Sequence, residues 1–160
     1  MLAIIFEILD GWINDENKEA RREGLRAIAK CEFRVVGQMA LMEAKLDLHI
    51  AVTGDVDAFN NAHHSVMTKW NDLLIANGLK YDLLSNEIWM PAETIYLEIY
   101  KGDWVTAFRA EPEYIMISKA KMSMEKNRLL LRQYIASRPP QIFFDLCLKY
   151  SVNLDRVWEE

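Results

Sequence analysis

The stretch of sequence that decides the fold is FRVVGQMALMEAKLDLHIAV, residues 33–52. Its opening residues, 33–36, are mostly apolar and predict a short β-strand that ends at Gly37. Residues 38–44 are rich in Ala, Met and Leu and predict a short helix. The chain is therefore expected to leave a strand through a tight glycine turn and to enter a helix at once.

The end of this stretch, residues 46–52, alternates between apolar and other side chains and predicts a second strand with Asp47 and His49 on one face. A strand that ends in glycine and opens a helix points free backbone N–H groups at one spot, where a triphosphate can bind. Carboxylates on a neighbouring strand could hold a divalent cation, Mg²⁺ or Mn²⁺, against those phosphates. The pattern is typical of a unit that handles nucleotides.

Helices are predicted on both sides of this unit. The predicted helices cover residues 2–13, 16–30, 56–76, 112–122, 125–137 and 140–150, with a short last turn at 153–158. Asp55 is expected to cap the start of the helix over 56–76. Four further strands, arranged as a β-meander, are predicted over residues 79–84, 87–90, 94–100 and 104–109.

These elements predict an α+β fold, a small mixed β-sheet flanked by helices with an all-helical C-terminal third. Residues 1–160 are expected to form a single domain because the length fits one hydrophobic core. Within it, residues 1–32 supply N-terminal helices, residues 33–110 the α/β core and residues 111–160 the helical C-terminal part.

Composition and charge narrow the function classes. Hydrophobic residues make up 51% of the chain and charged residues 27%, as in ordinary globular proteins. No apolar run approaches the ~20 residues of a membrane helix, and no signal peptide is recognised, so a cytoplasmic location is expected. Two separate cysteines, Cys31 and Cys147, have no metal-ligand spacing and are expected to be reduced core residues.

The net charge of −5 argues against nucleic-acid binding by the whole surface. The charge is uneven, however. Residues 33–100 carry four Lys or Arg against nine Asp or Glu, whereas residues 101–138 carry eight against four. An acidic part that could hold a cation is thus followed by a basic part that could hold phosphate or, as a weaker hypothesis, contact a nucleic acid.

The segments Val35–Leu41 and Leu46–Ile50 resemble the core of the nucleotidyltransferase-fold superfamily. In that superfamily a Gly followed by Gly or Ser precedes an Asp-x-Asp or Asp-x-Glu pair on the next strand, about ten residues on. The chain is most similar to the small, toxin–antitoxin-associated branch. Members of that branch continue into a β-meander and then a helix that opens Pro-Glu and contains a lysine, as Pro112, Glu113 and Lys119 do here.

The resemblance implies a role for each matching residue. Gly37, Gln38 and Lys119 would bind the nucleotide, an NTP. Asp47 and His49 would hold the cation. Asp47 would also belong to the catalytic carboxylates. A third carboxylate would come from Glu98 or, as a second choice, Asp82.

The chain also departs from the family pattern. Gln38 stands in place of a small residue and His49 in place of the second carboxylate. A neutral imidazole is a poor ligand for Mg²⁺ and a better one for Mn²⁺. Met124 and Asn127 replace an expected Arg and Asp. The resemblance therefore implies a nucleotide-binding pseudoenzyme, with weak or lost transfer of a nucleoside monophosphate to a protein or RNA hydroxyl.

A second hypothesis treats the same fold as a non-catalytic interaction or oligomerisation module. Its partner, a different protein or a second copy of the chain, would bind apolar residues of the terminal helices. These residues are Leu2, Ile5, Phe6, Leu9 and Trp12 in the N-terminal helix, and Ile142, Phe143, Phe144 and Leu146 near the C-terminus.

Overall fold

The computed structural model describes all residues, 1–160, as six helices, five strands and two 3₁₀ turns. The helices are α1 (Leu2–Arg22), α2 (Gly37–Glu43), α3 (His64–Ala76), α4 (Pro112–Ser123), α5 (Arg128–Ala136) and α6 (Gln141–Lys149). The strands are β1 (Cys31–Val36), β2 (Asp55–Asn60), β3 (Lys80–Tyr81), β4 (Tyr96–Lys101) and β5 (Val105–Ala110). The 3₁₀ turns are Ser85–Glu87 and Leu154–Trp158.

The five strands form one mixed sheet in the order β3-β2-β1-β5-β4. The central strand β1 pairs antiparallel with β2 and parallel with β5. The short strand β3 runs parallel to β2, and β4 and β5 form an antiparallel hairpin. The predicted α+β class with a helical C-terminal third is confirmed.

An aromatic cluster fixes two helices to one face of the sheet. Phe33 on β1 lies 5.1 Å from the ring centre of Phe6 on α1 and 4.8 Å from that of Trp70 on α3. The rings of Phe6 and Trp70 stack at 5.8 Å, and all three side chains are fully buried. Burying each of these rings contributes about 2 kcal/mol or more, so this contact is a main source of stability.

The apolar faces of the terminal helices are used inside the molecule. Most of the side chains that the interaction hypothesis assigns to a partner are buried in the core: Leu2, Ile5, Phe6, Leu9, Phe143 and Leu146. They are not free to bind a second protein unless the core opens. The expectation that these six residues form an external binding surface is therefore wrong, whereas Trp12, Ile142 and Phe144 stay partly exposed.

The predicted helices 2–13 and 16–30 are one helix, α1, which ends at Arg22. The polar residue Asn17 is 1% exposed. Its Nδ2 donates to the carbonyl of Ile28 at 3.0 Å, and its Oδ1 accepts from the Ile28 N–H at 2.7 Å. The buried amide thus pins the segment 23–30 against the helix, and this segment has no helical structure.

Two assignments between α2 and α3 are wrong. Residues 46–52, predicted as a strand, form an irregular loop, although Leu46, Leu48 and Ile50 still pack against the core. The strand that pairs with β1 is β2, in the region predicted as a helix start. The helix begins only at His64. His63 is its N-cap, because the His63 side chain accepts a hydrogen bond from the Ser65 N–H. Alternation in a loop can mimic a strand when every second side chain is anchored to the core.

The predicted β-meander is also wrong. The strand expected at 87–90 is replaced by the turn Ser85–Glu87 and irregular chain, and β3 joins β2 rather than β4. The predicted strands 94–100 and 104–109 are confirmed as the β4–β5 hairpin, and β1 and α2 lie where the sequence predicts them. The C-terminal helices and the last turn are likewise confirmed.

We expect Asn17→Ala to lower the free energy of unfolding by about 2 kcal/mol, because it leaves the backbone N–H and C=O of Ile28 without partners. Urea denaturation followed by circular dichroism measures this. Asn86→Ala is a matched control, because Asn86 is exposed and its side chain makes no hydrogen bond. A loss in Asn17→Ala no larger than that of the control would contradict the role given to the buried amide.

Candidate functional site

A cleft with a volume of about 820 Å³ opens beside β2. Its walls come from six parts of the chain. They are the start of α2, the loop 49–53, the strand β2, the segment 82–90 and the helices α4 and α5. The N-terminal α/β core supplies one side and the C-terminal helices supply the other. A cleft of this size is sufficient for a nucleotide.

Strand β2 presents two carboxylates to this cleft. Successive side chains of a strand point to opposite faces, so the buried Val56 and Ala58 face the core while Asp55 and Asp57 face the cleft. The neighbouring strand β3 runs parallel to β2 and ends just before Asp82. The N–H of Asp82 donates to the carbonyl of Val56 at 3.0 Å. This pairing brings a third carboxylate to the same cleft.

Gly37 packs against one of these carboxylates. Its φ of +65° lies in the left-handed region that favours glycine. A Cβ atom at this position would lie 2.7 Å from Asp57 Oδ2, closer than non-bonded atoms tolerate. The glycine turn predicted from sequence is therefore confirmed. It is required for two reasons, the backbone conformation and the space that the Asp57 carboxylate occupies.

A buried hydroxyl connects β2 to the segment that carries Asp82. The Oγ of Ser85 accepts from the Ala58 N–H at 3.2 Å and lies 2.5 Å from the carbonyl oxygen of Asp82. The same Oγ is 3.4 Å from Asp57 Oδ1. In addition, Asp82 Oδ1 accepts from the Leu84 N–H at 2.9 Å. These bonds hold the two acidic segments at a fixed separation.

The carboxylates repel one another. Burial first, and then the negative charges of Asp82 and Asp55, raise the pKa of Asp57 to about 6, against the opposing effects of Ser85 and Lys119. A raised carboxyl pKa means that the ionised form is held in an unfavourable place. Such a concentration of negative charge is what a bound cation would relieve.

The helical side of the cleft supplies positive charge. Lys119 on α4 lines the cleft, and its Nζ lies 3.4 Å from Oδ1 of Asn127, to which it donates. Burial lowers the pKa of Lys119, the nearby Lys126 lowers it further, and the charge of Asp57 raises it. Lys126 lines the same cleft. Two ammonium groups thus face the acidic side of the cleft.

The structure brings together most of the residues that the resemblance singled out. The cleft is lined by Gly37, Gln38, His49, Asp82 and Lys119. The remaining two residues do not reach it. Asp47 is exposed on the loop before β2, and Glu98 is exposed on β4, at the opposite edge of the sheet from β3.

The expected pair Asp47 and His49 does not form a strand face, because residues 46–52 are not a strand. His49 instead uses its backbone, whose N–H donates to Gln133 Oε1 at 2.9 Å. Gln38 Nε2 donates to the carbonyl of Ala51 at 3.0 Å. These two glutamine side chains attach the loop to α2 and α5, so Gln38 has a structural partner beside the cleft.

Asp55 and Asp57 are the site residues that sequence reasoning missed. The sequence carries a signal for them, because they form an Asp-x-Asp pair after the glycine turn. The spacing concealed them, since the loop of residues 44–54 places them well beyond the usual ten residues. The second residue of this pair is an aspartate, Asp57, whereas His49 belongs to the loop before β2.

The donor set suits a hard divalent cation. No three His, Cys, Asp or Glu side chains come close enough to hold a metal ion by themselves. Mg²⁺, however, is commonly held by one or two carboxylates while substrate phosphates and water supply the other oxygens. Asp55 and Asp57 fit that arrangement, with two oxygen donors at alternate positions of one strand. The cation would then be shared with a bound nucleotide.

Comparison with protein-family models, with curated proteins and with solved structures finds no match. None of the six helices combines the length and the apolar character that crossing a bilayer requires.

We expect Asp57→Asn to stabilise the fold above pH 6. The Asp57 pKa is raised from 3.8 to about 6, so the folded state binds this proton more tightly and loses stability as the pH rises through about 6. After allowance for solvent screening, the gain is on the order of 1–2 kcal/mol at pH 7.5 and disappears below about pH 4. Thermal denaturation at several pH values measures it. An Asp57→Asn protein that is less stable than wild type at pH 7.5 would contradict the claim that the ionised Asp57 carboxylate destabilises the fold.

Proposed function

We propose that this protein binds a nucleoside triphosphate and a divalent cation in the cleft and transfers the nucleoside monophosphate to a hydroxyl group. One observation carries the proposal. Three carboxylates, Asp55, Asp57 and Asp82, and the ammonium of Lys119 come from separate parts of the chain and line the same cleft. Opposite charges gathered in this way suit a cation–phosphate ligand better than either charge alone.

The two sides of the cleft would bind different parts of the ligand. Asp55 and Asp57 would hold the cation, and Lys119 and Lys126 would contact the phosphates from the helical side. The helix α2 has only seven residues, so its dipole adds little and the lysines carry the phosphate binding. Gly37 keeps the approach to Asp57 open, because any larger residue would displace that carboxylate.

The reaction would be an in-line displacement. The acceptor hydroxyl oxygen bonds to the α-phosphorus, the bond from that phosphorus to the bridging oxygen breaks, and pyrophosphate leaves. Asp82 lines the cleft from a different segment than the other two carboxylates and would take the proton of the attacking hydroxyl. A bound divalent cation would supply charge neutralisation at the phosphates. Ser85 would keep Asp82 and Asp57 in register during this step.

Taking Asp55 and Asp57 as the acidic pair, in place of Asp47 and His49, changes the expected activity. The resemblance implies a weakened enzyme only if His49 replaces a metal carboxylate. Asp55 and Asp57 restore the pair at the position that faces Gly37 and Lys119. Asn127, which stands in place of a family aspartate, retains an oxygen that accepts from Lys119. We therefore propose an active nucleotidyltransferase-like protein rather than a pseudoenzyme.

Calorimetric titration of the four NTPs, each with Mg²⁺ or Mn²⁺, tests the proposal. We expect wild type to bind at least one NTP with the cation, and Asp57→Asn to weaken this binding at least tenfold, because it removes a charged cation ligand. Asp47→Asn is the matched control, since it makes the same chemical change on an exposed residue outside the cleft. We expect the control to bind as wild type does.

Two results would contradict the proposal. One is the absence of cation-dependent binding of any NTP to wild type. The other is binding that falls in Asp47→Asn and persists in Asp57→Asn, which would return the site to the loop before β2. Release of pyrophosphate in the presence of added hydroxyl acceptors then measures transfer itself.

A further inference from the structure

A second cavity, of about 660 Å³, lies on the face of the sheet opposite the Phe33 cluster. Its floor crosses four strands. Arg34 on β1 pairs in register with Phe59 on β2 and with Phe108 on β5, and all three line the cavity. Tyr96 on β4 completes the floor. We call these four residues the aromatic floor. The three rings are only half-buried.

The arginine of the aromatic floor is held in a fixed position. Its Nε donates to Oε1 of Glu32 at 2.7 Å, and its guanidinium lies 5.1 Å from the ring centre of Tyr96. Its two terminal nitrogens make no hydrogen bond, and half of the side chain is exposed. The paired carboxylate cancels its charge. Arg34 therefore presents oriented donors between two phenyl rings without a strong attraction for anions.

This combination of groups selects a planar ring with acceptor atoms on its edge. Flat, partly exposed aromatic side chains stack on such rings, and an arginine fork donates to two acceptors in one plane. A nucleobase has both properties, whereas the phenol ring of a tyrosine offers only its hydroxyl oxygen. We propose that the aromatic floor binds an unpaired nucleobase at the end of a single-stranded nucleic acid.

The second cavity adjoins the cleft of the proposed function across a shared wall. The residues Ile88, Trp89 and Met90 line both. An end nucleotide on the aromatic floor would therefore lie next to the NTP, and its sugar hydroxyl would be the acceptor. This acceptor role rests on the proposed function, with the O–P bond formed and pyrophosphate released as above. The binding of the base does not depend on it.

The same arrangement explains how a chain of net charge −5 could bind a nucleic acid. Stacking and base-edge hydrogen bonds release few counterions, whereas phosphate contacts give a steep dependence on salt. We expect the affinity of this site to change by no more than about twofold to threefold between 50 and 200 mM salt. Binding through the basic residues 101–138 would weaken far more steeply.

Fluorescence anisotropy with a 5′-labelled, unstructured ten-nucleotide RNA tests the site, with DNA of the same sequence as a second probe. We expect wild type to bind, and Arg34→Lys to bind at least fivefold more weakly, because lysine keeps the charge but loses the planar fork. Phe108→Leu should weaken binding similarly while keeping an apolar side chain. Arg26→Lys is the matched control on an exposed loop and should change nothing.

Three outcomes would overturn the proposal. They are no binding of either oligonucleotide, equal binding by wild type and Arg34→Lys, and a steep salt dependence. Preferential binding of a tyrosine-containing peptide, tested as a competitor, would assign the aromatic floor to a protein acceptor and would also overturn it. These titrations contain no NTP and no divalent cation. Their failure is therefore distinguishable from failure of the proposed nucleotide cleft.

Discussion

The placement of β2 between β1 and β3 is the constraint on which the rest of the structure depends. Antiparallel pairing with β1 sets Asp57 opposite Val36, directly beside the glycine turn that follows. Parallel pairing with β3 sets Asp82 next to the same strand. Neither carboxylate would face the other without both pairings. The backbone hydrogen bonds of one six-residue strand thus assemble the acidic half of the cleft.

Two opposing demands meet at this strand. The inward residues Val56 and Ala58 are fully buried and stabilise the sheet, whereas burial and the neighbouring carboxylates raise the pKa of the outward Asp57. The cost is offset elsewhere, chiefly by the cluster of Phe6, Phe33 and Trp70 on the other face. A fold that retains such a cost where it faces a large cleft has the character of a binding site.

The two faces of the sheet have different roles. One face is covered by α1 and α3 and forms the core. The other carries the aromatic floor at its centre and the acidic residues at the edge near β3. The segment 88–90 separates the two cavities and lines both. The C-terminal helices close only the acidic end, which leaves the middle of this face open to a second ligand.

The sequence by itself determined the α+β class, β1 with its glycine turn into α2, the β4–β5 hairpin and the C-terminal helices, because local pattern and turn chemistry agree there. It also indicated Gly37, Asp82 and Lys119. Only the tertiary structure decided that the acidic pair facing the cleft is Asp55 and Asp57. Asp is a poor strand former and a good helix cap, so the local sequence predicts Asp55 as a helix N-cap. Hydrogen bonds from two neighbouring strands override that preference. These bonds join residues that are far apart in the sequence, so a local pattern does not predict them.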